Sequence, residues 1–551
     1  MKISRIFFVF LLTASFAFGQ KTVTGVVSDP DGLPLPGATV VVDGTTIGVT
    51  TDFDGNYSIS VGEGESLIFS FVGYATQSAV VGSQNILNIS LAEGNQLSEV
   101  VVTALGLERE ARSLGYAVTT VGSEEIEQKG VADVARALTG KVAGVNITNT
   151  TATSGSGTNI IIRGMTSITG SNQPLFVVDG VPFDASTSGE SGTFWNGITS
   201  SSRFLDLDPN SIEKVDVLKG LSATVLYGQQ GRNGVILITT KNGSSSPSAK
   251  GTEVTVSHST FMNEPVLPDY QNNYGGGFHQ LFGFFFSNGG PNFDPAINDP
   301  RQFGSYFLRE DQNNVYVKHP YDYINDRSLV EPEFSDIVGS EYAYKNYKGV
   351  ENFFNTGVVN TTSLNLRSSS DKGFFNMSFG RTDDEGFTPN NRLRKTNFGV
   401  GGKATLENGI VIGGSMNYAN TDYTTPPIAA SLGSGSVSGY TSSIFGDVMY
   451  TPRSVDLMGL PYITSDGRSV YYRSGNDIQN PRWTAENAFD TENIHRTYGN
   501  FNVSYDLTDN LSLSYVYGLD NTAMFQQHAQ NKGGVDGNST GIYVTGDNTN
   551  T

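Results

Sequence analysis

Apolar side chains recur at every second position in the C-terminal part of this chain. Phe501, Val503, Tyr505 and Leu507, then Leu511, Leu513, Tyr515, Tyr517 and Leu519, are separated by Asn502, Ser504, Asp506, Ser512 and Ser514. A period of two places all the apolar groups on one face of an extended strand and the polar ones on the other. Phe375, Met377 and Phe379 repeat the pattern, as do Leu364 with Leu366, and Ile410 and Ile412 in phase with Met416 and Tyr418. Asp509-Asn510 between the last two runs predicts a tight turn. Antiparallel hairpins follow, in a soluble sandwich or in a barrel that crosses a membrane. Polar residues on the opposite phase suit a wet lumen, and tyrosines near strand ends suit an interface girdle. Beyond the N-terminus no apolar run is long enough for a membrane-spanning helix, but a spanning strand needs only about 9–11 residues.

The first residues predict the compartment. Lys2 and Arg5 precede an apolar run from Ile6 to Ala17, and Ala17-Phe18-Gly19 supplies small residues before Gln20. This predicts a cleaved export signal over residues 1–19, too short to be an anchor. With Cys 0, disulfides and thiolate metal sites are excluded. Lys+Arg 34 against Asp+Glu 54, a net charge of −20, repels phosphate backbones and argues against nucleic acid as a partner. Gly 65, Tyr 25 and Phe 33 with only 37% hydrophobic residues fit a lumen-lining β protein.

Residues 20–93 read as short strands between turns: Val23 to Val27 before Asp29-Pro30-Asp31-Gly32, Ala38 to Val42 before Asp43-Gly44, Tyr57 to Val61 after Asp54-Gly55-Asn56, then Ser66 to Phe71 and Ile86 to Leu91. Such spacing predicts a small sandwich. The run from Gly25 to Val40, with Thr51 to Tyr57 and Phe71-Val72-Gly73-Tyr74, resembles the carboxypeptidase-regulatory-like domain, which implies a non-catalytic accessory. After the hinge Ala92 to Gln96 comes Leu97-Ser98-Glu99-Val100-Val101-Val102-Thr103-Ala104. Three valines are stiff and extended, suited either to the last strand of the sandwich or to strand addition on another protein's sheet edge.

From Leu105 to Gly243 the pattern is mixed. Val131, Val134, Ala135 and Leu138 share a helical face, with Glu124 and Glu125 ahead and Gly140 as a stop. Strands are predicted over Asn159 to Ile162, Leu175 to Val178 and Ser211 to Leu218. The ordered segments Ile162-Arg163-Gly164, Pro174 to Pro182, Ile212 to Gly220, Leu226-Tyr227-Gly228 and Gly234 to Lys241 resemble the plug of the SusC-like TonB-dependent transporters. That resemblance makes Glu99, Val100, Val101, Val102, Thr103 and Ala104 the TonB box (97–104) and residues 105–243 the plug. Residues 244–250, with Ser244-Ser245-Ser246-Pro247-Ser248, form a linker, and 251–551 begin a large antiparallel transmembrane β-barrel. The fold class is therefore mainly β, with a sandwich, an α+β plug and part of a barrel. About 300 residues allow some six to ten strands, and so narrow a barrel fills with its own side chains. Further strands beyond this sequence are expected to complete it.

Chemical motifs are missing. His258, His279, His319, His495 and His528 are scattered without ligand spacing, Asp52 to Asn56 reads as a turn rather than a calcium loop, and neither a phosphate loop nor G-x-S-x-G occurs. No enzyme, cofactor or metal site is expected. Aromatic residues in long loops, Tyr274 and Phe278, and Phe194 and Trp195 in the Ser186 to Ser202 loop, are candidates for solute contact, though packing or a protein partner explains them equally. The resemblance implies import of an oligosaccharide or peptide across the outer membrane, with TonB in the periplasm, a SusD-like surface lipoprotein as lid, and outer-membrane lipid around the barrel. A siderophore-type receptor and a structural or adhesive barrel are the rivals.

Overall fold

A computed structural model describes residues 21–43, 45, 47–62, 64–71, 74–92, 100–102, 108–110, 118–127, 133–149, 151, 153–168, 171–185, 201–219, 225–242, 251–276, 288–427, 444–473, 479–508, 511–534 and 542–550. The export signal, the 244–250 linker and the Asp509-Asn510 turn lie outside these residues. The chain divides into two units, one of residues 1–103 with 107–115 and one of 104–106 with 116–551.

In the first unit, β1 (Lys21–Ser28), β4 (Asn56–Val61) and β7 (Ile89–Ser90) form one sheet; β2 (Thr39–Val42), β3 (Gly48–Thr50), β5 (Ser66–Ser70) and β6 (Gln77–Val80) form another. Alternation builds the core. In β4, Tyr57, Ile59 and Val61 point inward, and they pack with Val23, Val40, Leu67 and Phe69. The Tyr57 and Phe69 rings meet edge to face at 5.4 Å. Asp52 Oδ1 accepts from the backbone N–H groups of Asp54 (3.0 Å) and Asn56 (2.8 Å), and Gly55 takes φ 73°, so the acidic run is an Asx-type turn. Further on, β8 (Val100–Val102) pairs antiparallel with β9 (Glu108–Glu110).

The second unit contains a five-stranded mixed sheet of β10 (Val118–Gly122), β13 (Leu175–Val178), β14 (Val181–Phe183), β15 (Ile212–Leu218) and β16 (Val235–Thr240), in the order β10-β15-β16-β13-β14. A separate hairpin joins β11 (Val145–Asn149) to β12 (Thr158–Ile162). The helix expected around residues 131–138 is shorter: Val134–Ala137, with Asp133 as its N-cap, while Glu124 and Glu125 belong to a helix of their own, Ser123–Glu127. Asp133 explains the late start, because its carboxylate accepts from Ala135 N and fixes the first turn there.

Around this domain runs a sheet of eight antiparallel strands among the described residues. They are β17 (Gly251–Asn263), β21 (Gly357–Ser370), β22 (Gly373–Glu385), β23 (Arg392–Thr405), β24 (Val411–Thr425), β25 (Ala488–Thr508), β26 (Leu511–Gln530) and β27 (Ile542–Asn550). Its inside and outside are reversed relative to a soluble sheet. Along β22, Phe375, Met377 and Phe379 are 45%, 38% and 38% exposed, whereas Asn376 and Ser378 are 2% and 6% exposed. Strand register turns these positions into a continuous apolar band: Val256, Leu364, Phe379, Phe398 and Tyr418 are successive neighbours across five strands. In water each half-exposed apolar side chain forgoes roughly 1 kcal/mol of transfer energy, and the five in this band together forgo about 5 kcal/mol. That sum is comparable with the net stability of a whole domain, about 5–15 kcal/mol. Water is therefore the wrong solvent for this outer face, and the soluble-sandwich alternative fails.

One end of the sheet has short connections, at 371–372 and 406–410; the other carries 264–356 and 426–487. The first of these was expected to be a long loop, but the two segments share a core. Tyr321, Leu329, Val350 and Phe353 from the first pack with Ile444, Val448, Leu457 and Tyr471 from the second. The first segment also folds a three-stranded sheet of β18 (Phe307–Glu310), β19 (Val315–Lys318) and β20 (Glu341–Tyr344). Arg453 ties them, donating to Glu351 (2.6 Å) and Asn272 (2.6 Å). Short strands with aromatic but weakly periodic sequences left no clear signal for this module.

Candidate functional site

The candidate site is the surface where the α+β domain meets the inner wall of the eight-stranded sheet. Asp179-Gly180 connects β13 to β14 in two residues, and both take positive φ, 48° and 84°, as a two-residue hairpin loop of this twist requires. The turn aims the Asp179 carboxylate at the end of β16. It accepts from Thr240 N (2.8 Å), Thr240 Oγ1 (2.7 Å) and, across the interface, Ser415 Oγ (3.1 Å) of β24. Asn500 of β25 donates to the Asp179 carbonyl at 2.5 Å. Burial pushes the Asp179 carboxyl up to about 6, outweighing the three donors that pull it down.

A folded-state value above the unfolded one contributes stability that is present below the ordinary carboxylate range and lost as pH rises through about 6. The domain is therefore expected to lose roughly 2–3 kcal/mol from this group between pH 4 and pH 7.5. Asp179→Asn, which tolerates the positive φ, should remove that share of the slope. Denaturant unfolding followed at several pH values checks it, and an unchanged slope would refute it.

Asn242, just beyond β16, reads the wall directly. Its Nδ2 donates to Ser378 Oγ (3.0 Å) and Asn417 Oδ1 (2.9 Å), and its Oδ1 accepts from Asn376 Nδ2 (2.5 Å). This approach needs bare backbone opposite: a Cβ on Gly399 or Gly401 would lie 2.2 or 2.1 Å from Asn242 atoms. Gly401→Val is expected to push the domain from the wall and cost about 1–3 kcal/mol, read as a lower unfolding midpoint.

A buried charge cluster lies further along the wall. Arg496 of β25 is 0% exposed. Its Nε donates to Asp520 Oδ1 of β26 (2.8 Å), its Nη1 to Asp206 Oδ2 of the inner domain (3.2 Å) and its Nη2 to the Asp184 carbonyl (3.0 Å). The guanidinium stands 3.5 Å from the Phe183 ring centroid. Asp206 also accepts from Thr421 (3.2 Å), its carbonyl from Asn397 (2.8 Å), and the Leu207 carbonyl from Lys395 (2.7 Å). Near the long-segment end, Asn391 and the Ser154 backbone exchange two hydrogen bonds at 2.8 and 3.0 Å, and Ser154 Oγ donates to Asp384 (2.8 Å).

The interface is mostly polar. Apolar contact across it includes Tyr498 in the inner core and Leu205 with Leu393 and Tyr423. Each hydrogen bond to the wall is worth about 0.5–1.5 kcal/mol net, because water offers an equivalent partner when the surfaces part. Many such bonds hold the domain in one place without the hydration cost that separating two apolar surfaces carries.

The comparisons match this architecture. Residues 110–235 match the TonB-dependent Receptor Plug Domain, and residues 23–102 match the CarboxypepD_reg-like domain. The TonB-dependent receptor SusC of Bacteroides thetaiotaomicron is 39% identical over 236 residues, 43% of this chain and 22% of that protein. Over these segments the chain is similar to the SusC-like TonB-dependent receptors. TonB-dependent receptor P26 of Formosa agariphila is 37% identical over 248 residues, 45% of the chain and 23% of the relative. The matched part of the chain thus spans under a quarter of either relative. In fold it is similar to the RagAB peptide importer in its 'closed-closed' state, with TM-score 0.55 and 19% identity over 76% of this chain and 42% of that one.

Of the residues singled out in the sequence, Val100, Val101 and Val102 form β8, while Glu99, Thr103 and Ala104 lie outside the described residues. Phe194, Trp195 and Phe278 also lie outside them. Tyr274 is 46% exposed at the neck of the first long segment and bridged through its backbone to Asn292. The sequence reading missed Arg496, Asp206, Asp520, Asn242 and Asp179. Strand parity could have placed Arg496 inward, since it shares its phase with Asn502 and Ser504, but no periodicity names a partner.

Proposed function

We propose that this receptor chain is the plug-bearing part of an outer-membrane importer. The observation that carries the proposal is the reversed sheet: an apolar outer face suits lipid, and a polar inner face holds a removable plug by hydrogen bonds. In this reading the long segments face outward and the short connections face the periplasm, as outer-membrane barrels place them. An oligosaccharide or peptide docks on the outer side, with a SusD-like surface lipoprotein closing over it. The family matches, and the similarity in fold to a peptide importer, support that solute class.

Energy enters through β8. Among the described residues no strand lies on the second edge of Val100–Val102, and a periplasmic TonB partner can add there by main-chain hydrogen bonds. Pulling on this strand transmits force along the chain to the plug. Deleting Leu97–Ala104 is expected to abolish growth on, and uptake of, the solute while surface binding persists. Undiminished uptake would leave a structural or adhesive barrel as the better reading.

A further inference from the structure

The N-terminal sandwich holds two apolar side chains out in water at one tip. Phe53 is 93% exposed and Leu33 is 64% exposed, in the turns after β3 and β1 respectively. Tyr57 and Phe69 of the same unit, by contrast, are buried in its core. The two turns abut: Val27 N donates to the Gly55 carbonyl (2.9 Å), and a Cβ on Gly55 would stand 2.9 Å from Pro34 Cβ. A single exposed leucine is ordinary, but a phenylalanine presented on the neighbouring turn makes an apolar knob.

The chain leaves the sandwich at this same tip. β7 runs parallel to β1, with Val27 opposite Ile89 and Ser28 opposite Ser90, so the two strands end together. Leu91 N donates to the Ser28 carbonyl (2.8 Å), and Ser90 Oγ to the Asp29 carbonyl (2.9 Å). From Ala92 to Val100 are eight residues, which reach about 28 Å at full extension. A protein that adds a strand to Val100–Val102 is therefore kept within that reach of the exit, where a second contact costs little further freedom.

Charge selects which surface fits. Residues 21–92 contain seven Asp and Glu and one Lys. Lys21 lies at the far end of β1, in register with Val61, and donates to the Gln84 carbonyl (3.2 Å). Asp29 and Asp31 precede Leu33, Asp52 and Asp54 bracket Phe53, and the last three of these carboxylates are exposed. A second copy of this unit meets repulsion at such a tip, whereas Lys or Arg around an apolar patch meets attraction.

We propose that this tip is a second docking surface for the periplasmic partner that takes β8, and that it receives a basic face of that partner with an apolar centre. Phe53 and Leu33 supply the buried contact, the aspartates steer the approach, and the tether joins the two contacts into one bivalent event. The inference rests on the import reading for its partner and adds the surface.

Calorimetry of the TonB periplasmic domain with the full-length receptor in detergent, at about 50 mM salt, tests it. Leu33→Ser with Phe53→Ser is expected to weaken binding about tenfold at an unchanged unfolding midpoint, both side chains being exposed. Asp31→Asn with Asp54→Asn should weaken it about threefold, and that difference should vanish at about 500 mM salt, where charges are screened within a few Å. The Leu97–Ala104 peptide alone should bind about tenfold more weakly than the receptor. Parent-like affinity in the Leu33→Ser, Phe53→Ser receptor would overturn the proposal. A lowered unfolding midpoint or lost self-association at unchanged TonB affinity would also overturn it, assigning the tip to the receptor's own chain or to a second copy. Binding lost on Val101→Pro but not on the tip substitutions strikes this surface alone. A parent receptor that does not bind the TonB domain strikes the import reading and this surface with it.

Discussion

A Val101→Pro receptor is expected to fold, reach the outer membrane and bind solute at the surface, yet import none of it. Strand addition draws its affinity from main-chain groups, and Val101 stands at the centre of β8, in register with Arg109 of β9. Proline deletes one N–H, leaves the opposing carbonyl unmatched and fixes φ away from typical antiparallel values. Losing one such bond and stranding its acceptor costs about 2–4 kcal/mol. That is roughly a 30- to 1,000-fold loss in affinity for the TonB partner. Val101→Ala keeps every main-chain group and should stay within a few-fold of the parent in uptake. Binding of the TonB periplasmic domain to peptides spanning Leu97–Ala104, together with solute uptake, measures both. Equal uptake by the proline and alanine variants would remove strand addition from the mechanism.

Arg496→Met is expected to loosen the plug more than any other single wall substitution. The side chain is fully buried and holds a carboxylate from each partner, Asp206 from the plug and Asp520 from the wall. Its removal takes the closest cation from two buried carboxylates, Asp206 keeping Arg203 at 3.9 Å, a loss of about 3–5 kcal/mol when one partner of a buried pair is deleted. Changing Asp206 and Asp520 to Asn in the same chain should recover much of that loss, because the penalty comes from uncompensated charge rather than lost attraction. In cells the single variant should admit vancomycin, a solute too large for ordinary porins, without any TonB pull, and the triple variant should admit less. In the purified receptor, hydrogen exchange should rise along β13 to β16. A single variant as tight and as protected as the parent would show that the cluster does not hold the plug.

Several elements were legible because local chemistry alone decides them. Alternation placed Phe375, Met377 and Phe379 on one face. Asp52 to Asn56 read as a turn, and the capping carboxylate confirms it. The helix near residue 134 shows the limit of periodicity: an apolar stripe marks a face, but the N-cap Asp133 sets where the first turn begins. In the external module the strands are four residues each, too short for a period to emerge, and the core joins segments about a hundred residues apart.

The sequence by itself determined strand parity, turn chemistry and the family-bearing plug segments, because a period of two and a positive φ are properties of neighbouring residues. It did not determine which phase faces lipid. The same alternation serves a soluble sheet with its apolar side inward, and only the plug lying against Asn376, Ser378 and Asn417 reverses that choice. The Arg496 cluster depends on tertiary structure for the same reason: Asp206 and Arg496 are 290 positions apart, and their attraction exists only where folding removes both from water.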